Sequence, residues 1–299
     1  MSLLPELLSA LLFITVVLVL LLRRKRGAGD AASAQQALHA CEHLLMLAAH
    51  LQQHRGMSSA WLAGDKNFGP RLTSKRQDIE HLFHPLHDAA QAECKQATPC
   101  LTVNELSVFR FKWRSLVDAL PGLTPEKSIA EHSQLIATVL DWLDALGEAR
   151  VGLAMGRQLP LGLVKNYVHR LPALTECLGQ ARALGSSVAA RGQCPAVARV
   201  RLMFLVTRAE SLLDQACQAD DLGSRSGEAR RMVQALAELI RTRMLAQEGV
   251  HNITADSYFT QATGAIDGVF AWIRDCGHSL EQRLNDGTTA SLELGLQHG

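Results

Sequence analysis

Aromatic residues are scarce in this 299-residue chain, at 5%, and runs of β-branched residues are few after the N-terminus. The nine prolines fall mostly between the periodic stretches, and Leu and Ala dominate a composition that is 47% hydrophobic. Such a chain reads as helical rather than stranded. Its seven cysteines are odd in number and never spaced as CxxC, which fits free thiols in a reducing compartment and not a disulfide framework. No excess of one charge is present either. The net charge of +1 gives no electrostatic reason to expect a nucleic-acid partner. Phosphate-binding and catalytic motifs are missing as well. The "GRQLPLG" stretch lacks the Lys-Ser/Thr of a nucleotide loop, and no strand precedes the "GSS" at residues 185–187, as a nucleophile elbow would need. With no catalytic constellation, the chain does not read as an enzyme.

One long hydrophobic run is present, at residues 3–22, "LLPELLSALLFITVVLVLLL". As a helix it would extend about 30 Å, enough to cross a bilayer. A cleaved signal peptide carries its positive charges before the apolar stretch. Here RRKR follows directly, at residues 23–26, and Glu6 lies near the outer end. The positive-inside rule then predicts a single-pass anchor in the cytoplasmic (inner) membrane, N-terminus outside and the rest of the chain in the cytoplasm. There the sequon Asn252-Ile253-Thr254 would meet no glycosylation enzyme. Subtracting the four basic residues from the 30 Lys and Arg leaves 26 against 29 Asp and Glu, so the remaining chain is mildly acidic.

The expected organisation is an anchor with its basic stop (1–26), a flexible link (27–33, "GAGDAAS"), a helical domain (34–285) and a fraying tail (286–299). Breaks in helical periodicity near residues 64–72, 97–102, 121–125, 159–161, 191–195, 220–226 and 251–255 leave about eight helices with short connections. Such connections predict antiparallel packing. A weak repeat relates Leu51-x-Gln53-x-Arg55 to Leu178-x-Gln180-x-Arg182, and small residues follow each. The fold class is therefore all-α, with a transmembrane helix followed by two antiparallel helical-bundle halves, residues 34–150 and 151–285.

Three arginines fall on apolar faces when residues are placed at helical steps of about 100°. Arg55 shares a stripe with Leu44, Leu47, Ala48, Leu51, Ser58 and Leu62. Arg182 shares one with Leu171, Leu174, Leu178, Gly185 and Ala189, and Arg243 joins Met232, Leu236, Leu239 and Ile240 while Arg241 points away. A buried guanidinium cannot lose its proton, so something negative must meet it. An internal carboxylate such as Glu176, Asp141 or Asp144 is one answer. A bound planar oxyanion, matched to the guanidinium fork, is the other. The small residues Ser58 and Gly185 would let the helices close around it.

The segments "LQQHRGMSSAWLA", "LGQARALGS" and "SYFTQATGAID" resemble the signature segments of the nitrate- and nitrite-sensing (NIT) domain, over residues 36–280. The resemblance implies a pair of four-helix bundles in which arginines on facing helices bind the anion. It carries over to Arg55, in the pair Arg55-Gly56, and to Arg182. The third basic ligand is Arg243 by helical phase, with Arg241 its near neighbour. His54 stands where family members show a second basic residue. The family couples this domain to an output module, and the residues after 285 are too few for one. Signalling to a separate output protein is therefore expected.

Other constellations carry less. His81, His84 and His87 are spaced by three, but Pro85 interrupts them and no Cys or carboxylate cluster adjoins, so they read as solvated or helix-end histidines. Phe259, Thr263, Ile266 and Phe270 form a core stripe, with the Thr263 hydroxyl expected to bond back to its own helix. Two readings result. One is a membrane-anchored sensor of nitrate or nitrite, with no cofactor or metal. The other is a helical adaptor that has lost anion binding and neutralises its arginines with its own carboxylates. The implied partners are the anion, the bilayer through residues 3–22 and an output protein, with a homodimer left open and no nucleic acid.

Overall fold

The structure, a computed structural model, describes the backbone of residues 3–152, 161–219, 224–245 and 253–296, and the side chains of residues 32–152, 161–219, 225–245 and 253–286. It is all-helical among these residues. Helices α1 (Leu3–Leu62), α2 (Phe68–Glu93), α3 (Val103–Ala119) and α4 (Pro125–Leu146) come first. A short helix α5 (Leu161–Lys165) runs through one π turn into α6 (Leu171–Arg191), followed by α7 (Ala196–Gln218), α8 (Ser224–Leu239) and α9 (Ala255–Leu296). Local chemistry marks the ends. Thr102 and Glu105 form a reciprocal capping box on α3, Thr124 caps α4 ahead of Pro125, and Gly192 closes α6 in the left-handed region at φ 63°. The π turn of residues 166–170 precedes Pro172, whose missing N–H and bulky ring disturb the regular i→i−4 ladder.

Helix α1 packs along α4 and α2, with α3 completing the first group; α6 packs along α9 and α7, with α8 completing the second. The groups meet where α1 touches α9 and α6. Fully buried Trp113 and Trp272 anchor the core, and none of the seven cysteines is in a disulfide.

Two expectations are corrected. Residues 27–33 do not break the chain, because α1 is continuous from Leu3 to Leu62. Helix on both sides removes the nucleation cost, and the alanines there offset Gly27 and Gly29. The tail is not frayed throughout, since α9 continues to Leu296 by the same propagation. Among the described residues no helix is long and apolar enough to cross a membrane. The side chains of the 3–22 run, on which the anchor expectation falls, lie outside the described residues.

The contact between α6 and α9 depends on Gly185. A Cβ there would sit 2.3 Å from Cζ and Oη of Tyr258, which is fully buried and donates its hydroxyl to the Ala181 carbonyl at 2.7 Å. Gly185→Ala must push the helices apart or expel the ring, so it should destabilise by about 1–3 kcal/mol. Urea melts of the variant check this; an unchanged midpoint would contradict the close approach.

Candidate anion site

Arg55 is held by a carboxylate. The apolar phase of α1 turns its side chain inward, and it is 1% exposed. Its Nη1 donates to Glu176 Oε1 at 2.6 Å and its Nη2 to Glu176 Oε2 at 3.1 Å, a fork-to-fork pair between α1 and α6. Nη1 also donates to Ser133 Oγ on α4 at 2.8 Å. Glu176 accepts two further bonds, from Gln52 Nε2 at 3.2 Å and Gln180 Nε2 at 2.8 Å. Gly179 leaves room for this arrangement, since a Cβ there would lie 2.8 Å from Arg55 Nη2.

Arg182 is held differently. It is 8% exposed and donates from Nη1 to Thr263 Oγ1 on α9 at 3.0 Å. Its guanidinium carbon stacks 4.9 Å over the Phe259 ring. Among the described residues no carboxylate reaches it at ion-pair distance; Asp267 acts only from further away. Burial first, and the nearby Arg55 charge second, pull its pKa below the usual arginine value. It also lies against Gly56, where an added Cβ would be 3.6 Å from Nη2. Arg182 lines a groove of about 990 Å³ between α1, α2 and α9, together with Gln52, Gln53, Lys75, Phe259 and Thr263. Arg55 sits behind that wall. Two cations are thus close together, one neutralised from inside the chain and one facing a groove.

A family model for nitrate and nitrite sensing matches residues 46–288. The chain belongs to that family. The NasR transcription antiterminator has a similar solved structure, with a TM-score of 0.65 at 18% identity over 94% of this chain and 77% of that one, a likeness of fold. No curated protein matches.

The other basic residues expected in the sensing domain's site lie elsewhere. His54 is 1% exposed and turns into the first bundle, not toward Arg182. Its Nδ1 lies 2.8 Å from His132 Nε2, and its ring meets Trp113 edge-on at 4.8 Å. His132 Nδ1 lies 2.7 Å from the Ser128 carbonyl, which can only accept, so that nitrogen carries the proton. His132 Nε2 is then the acceptor and His54 Nδ1–H the donor. Helical phase explains the miss, because His54 is about 100° from Arg55 and faces α3 and α4. Arg243 is corrected too. It is exposed, because a π turn at residues 240–244 inserts an extra residue and puts Met244 in the buried place. Arg241 is also exposed and pairs with Glu210. His84 and His87 contact Asp88 and Gln91, and Thr263 engages Arg182, not its own helix as expected. Phe259, Gly179 and Ser133 were not foreseen as site residues; the segments "SYFTQATGAID", which holds Phe259, and "LGQARALGS", which holds Gly179, were the signals for two of them, and Ser133 had none.

Burial above all lowers the His54 pKa to about 3, helped by His132 and Arg76, and burial lowers that of His132 to about 4 despite its bond to Ser128. Both values lie below the ordinary 6.5. Below that pH the unfolded chain binds protons that the folded pair refuses. Stability should therefore be full above pH 6.5 and fall as the pH drops, with a slope of at most about 1.4 kcal/mol per pH unit for each histidine. Urea melts from pH 7 to 5 test this, and His132→Gln should flatten the slope. An identical slope in the variant would show that other groups cause the loss.

Proposed function

We propose that this chain is a membrane-tethered sensor that binds nitrate or nitrite at Arg182 and Arg55 and signals to a separate output protein. The observation that carries the reading is Arg182: a guanidinium almost buried, with no carboxylate at ion-pair distance among the described residues, beside a second cation and lining a groove. A planar oxyanion would answer its donor fork and relieve the repulsion between the two arginines. The adaptor reading draws support from Arg55, whose charge is met by Glu176. The two readings divide at Arg182. In full-length protein, excess nitrate should raise the unfolding temperature well beyond an equal concentration of chloride; at a hundred times the dissociation constant nitrate adds about 2.7 kcal/mol of stability over the ligand-free protein. Arg182→Met should keep its ligand-free stability and lose about 1.5–3 kcal/mol of nitrate binding. Arg55→Met should instead lose about 3–5 kcal/mol of ligand-free stability, because it strands Glu176. Equal shifts with both salts, or a large ligand-free loss in Arg182→Met, would favour the adaptor.

Tethering rests on the apolar run of residues 3–22 and the RRKR that follows it. The continuity of α1 would then join the anchor to Arg55 through one helix. A reporter fused after Gly299 should be active in the cytoplasm; activity only outside would overturn the topology.

A further inference from the structure

We propose that Glu176 is a resident stand-in for the anion: its carboxylate occupies the donor seat that nitrate or nitrite takes, and so sets the sensor's affinity by competition. This rests on the sensing reading above. The seat is complete. Arg55 gives both prongs of its fork, Gln52 and Gln180 give one amide donor each, and both Glu176 oxygens are engaged twice. Nitrate and nitrite, like a carboxylate, offer oxygens in one plane around a single central atom, so the same donors suit them. The seat is kept open by Gly179, whose missing side chain leaves room for Arg55 Nη2. It also borders the groove, because Gln52 both donates to Glu176 and lines the cavity that Arg182 faces.

An anion arriving through the groove meets Arg182 first. To reach Arg55 it must displace Glu176, since two anions cannot share one buried fork. That exchange has a mechanical consequence. Arg55 belongs to α1 of the first group and Glu176 to α6 of the second, so the ion pair ties the groups together. Nitrate would replace this covalently tethered link with a free ion, and occupancy would loosen α6 from α1. Glu176 is thereby a positioning residue that couples binding to bundle arrangement.

The test is nitrate titration calorimetry on the full-length parent, Glu176→Gln and Glu176→Asp, with chloride as control. Glu176→Gln keeps the shape and removes the competing charge. It should bind nitrate about ten- to a hundredfold tighter than the parent, with little change for chloride. A merely structural counter-ion would give the opposite sign, since its loss would disorder Arg55 and weaken binding. Unchanged or weaker nitrate affinity in Glu176→Gln, with a parent that binds, overturns the stand-in and leaves the sensing reading intact. Binding by Glu176→Gln when the parent shows none supports the stand-in directly. If neither binds, the sensing reading fails and the stand-in with it. Should Glu176→Gln not fold, Glu176→Asp decides. It retains the charge but is one carbon too short to keep both Arg55 contacts, so a severalfold gain supports the stand-in and an unchanged affinity overturns it.

Discussion

A guanidinium inside a helical bundle cannot shed its proton, and the placement of Arg55 makes this the governing constraint. At 1% exposure it has almost no water, so the fold must provide its counter-charge. Glu176 does so from another helix, and much of the surrounding sequence serves that pair. Gly179 removes a side chain that would collide with Nη2, Ser133 takes a second Nη1 bond, and Gln52 and Gln180 complete the carboxylate's acceptor capacity. Replacing any of these alters the seat, because each supplies a contact or a clearance that the Arg55–Glu176 pair uses.

Arg182 belongs to the same electrostatic unit with a different solution. It leans on a hydroxyl and an aromatic face, neither of which cancels its charge. The two adjacent cations have between them one carboxylate at ion-pair distance among the described residues, and Asp267, which lines the groove, acts on Arg182 only from further away. Membership of the nitrate and nitrite sensing family fits this imbalance. Beside Arg55, about 100° around α1, the His54–His132 pair stays neutral, so it adds no further positive charge to the interior.

Much of this was legible without coordinates. Helix number and the approximate positions of the breaks follow from periodicity, prolines, glycines and capping residues, which act over a few residues. The inward aim of Arg55 and Arg182 follows from their place on apolar stripes, and Glu176 was among the counter-ions such stripes demand. Arg243 was misplaced for an equally local reason with no sequence signature: a single π turn moves the buried position to Met244. His54 was placed at the site by the family resemblance alone, whereas neighbours on a helix point in different directions and His54 faces α3 and α4.

The sequence by itself determined the all-helical class, the faces that are buried and the presence of charges that the interior must neutralise, because these depend on residue type and on a fixed angular step. Only the tertiary structure decided which carboxylate meets which arginine. Arg55 and Glu176 are 121 residues apart, and the bond between them depends on how two helix groups lie against each other. It also decided that Arg182 has no such partner among the described residues, since the distance of Asp267 is set by the packing of α9 on α6 and by the Gly185–Tyr258 contact within it.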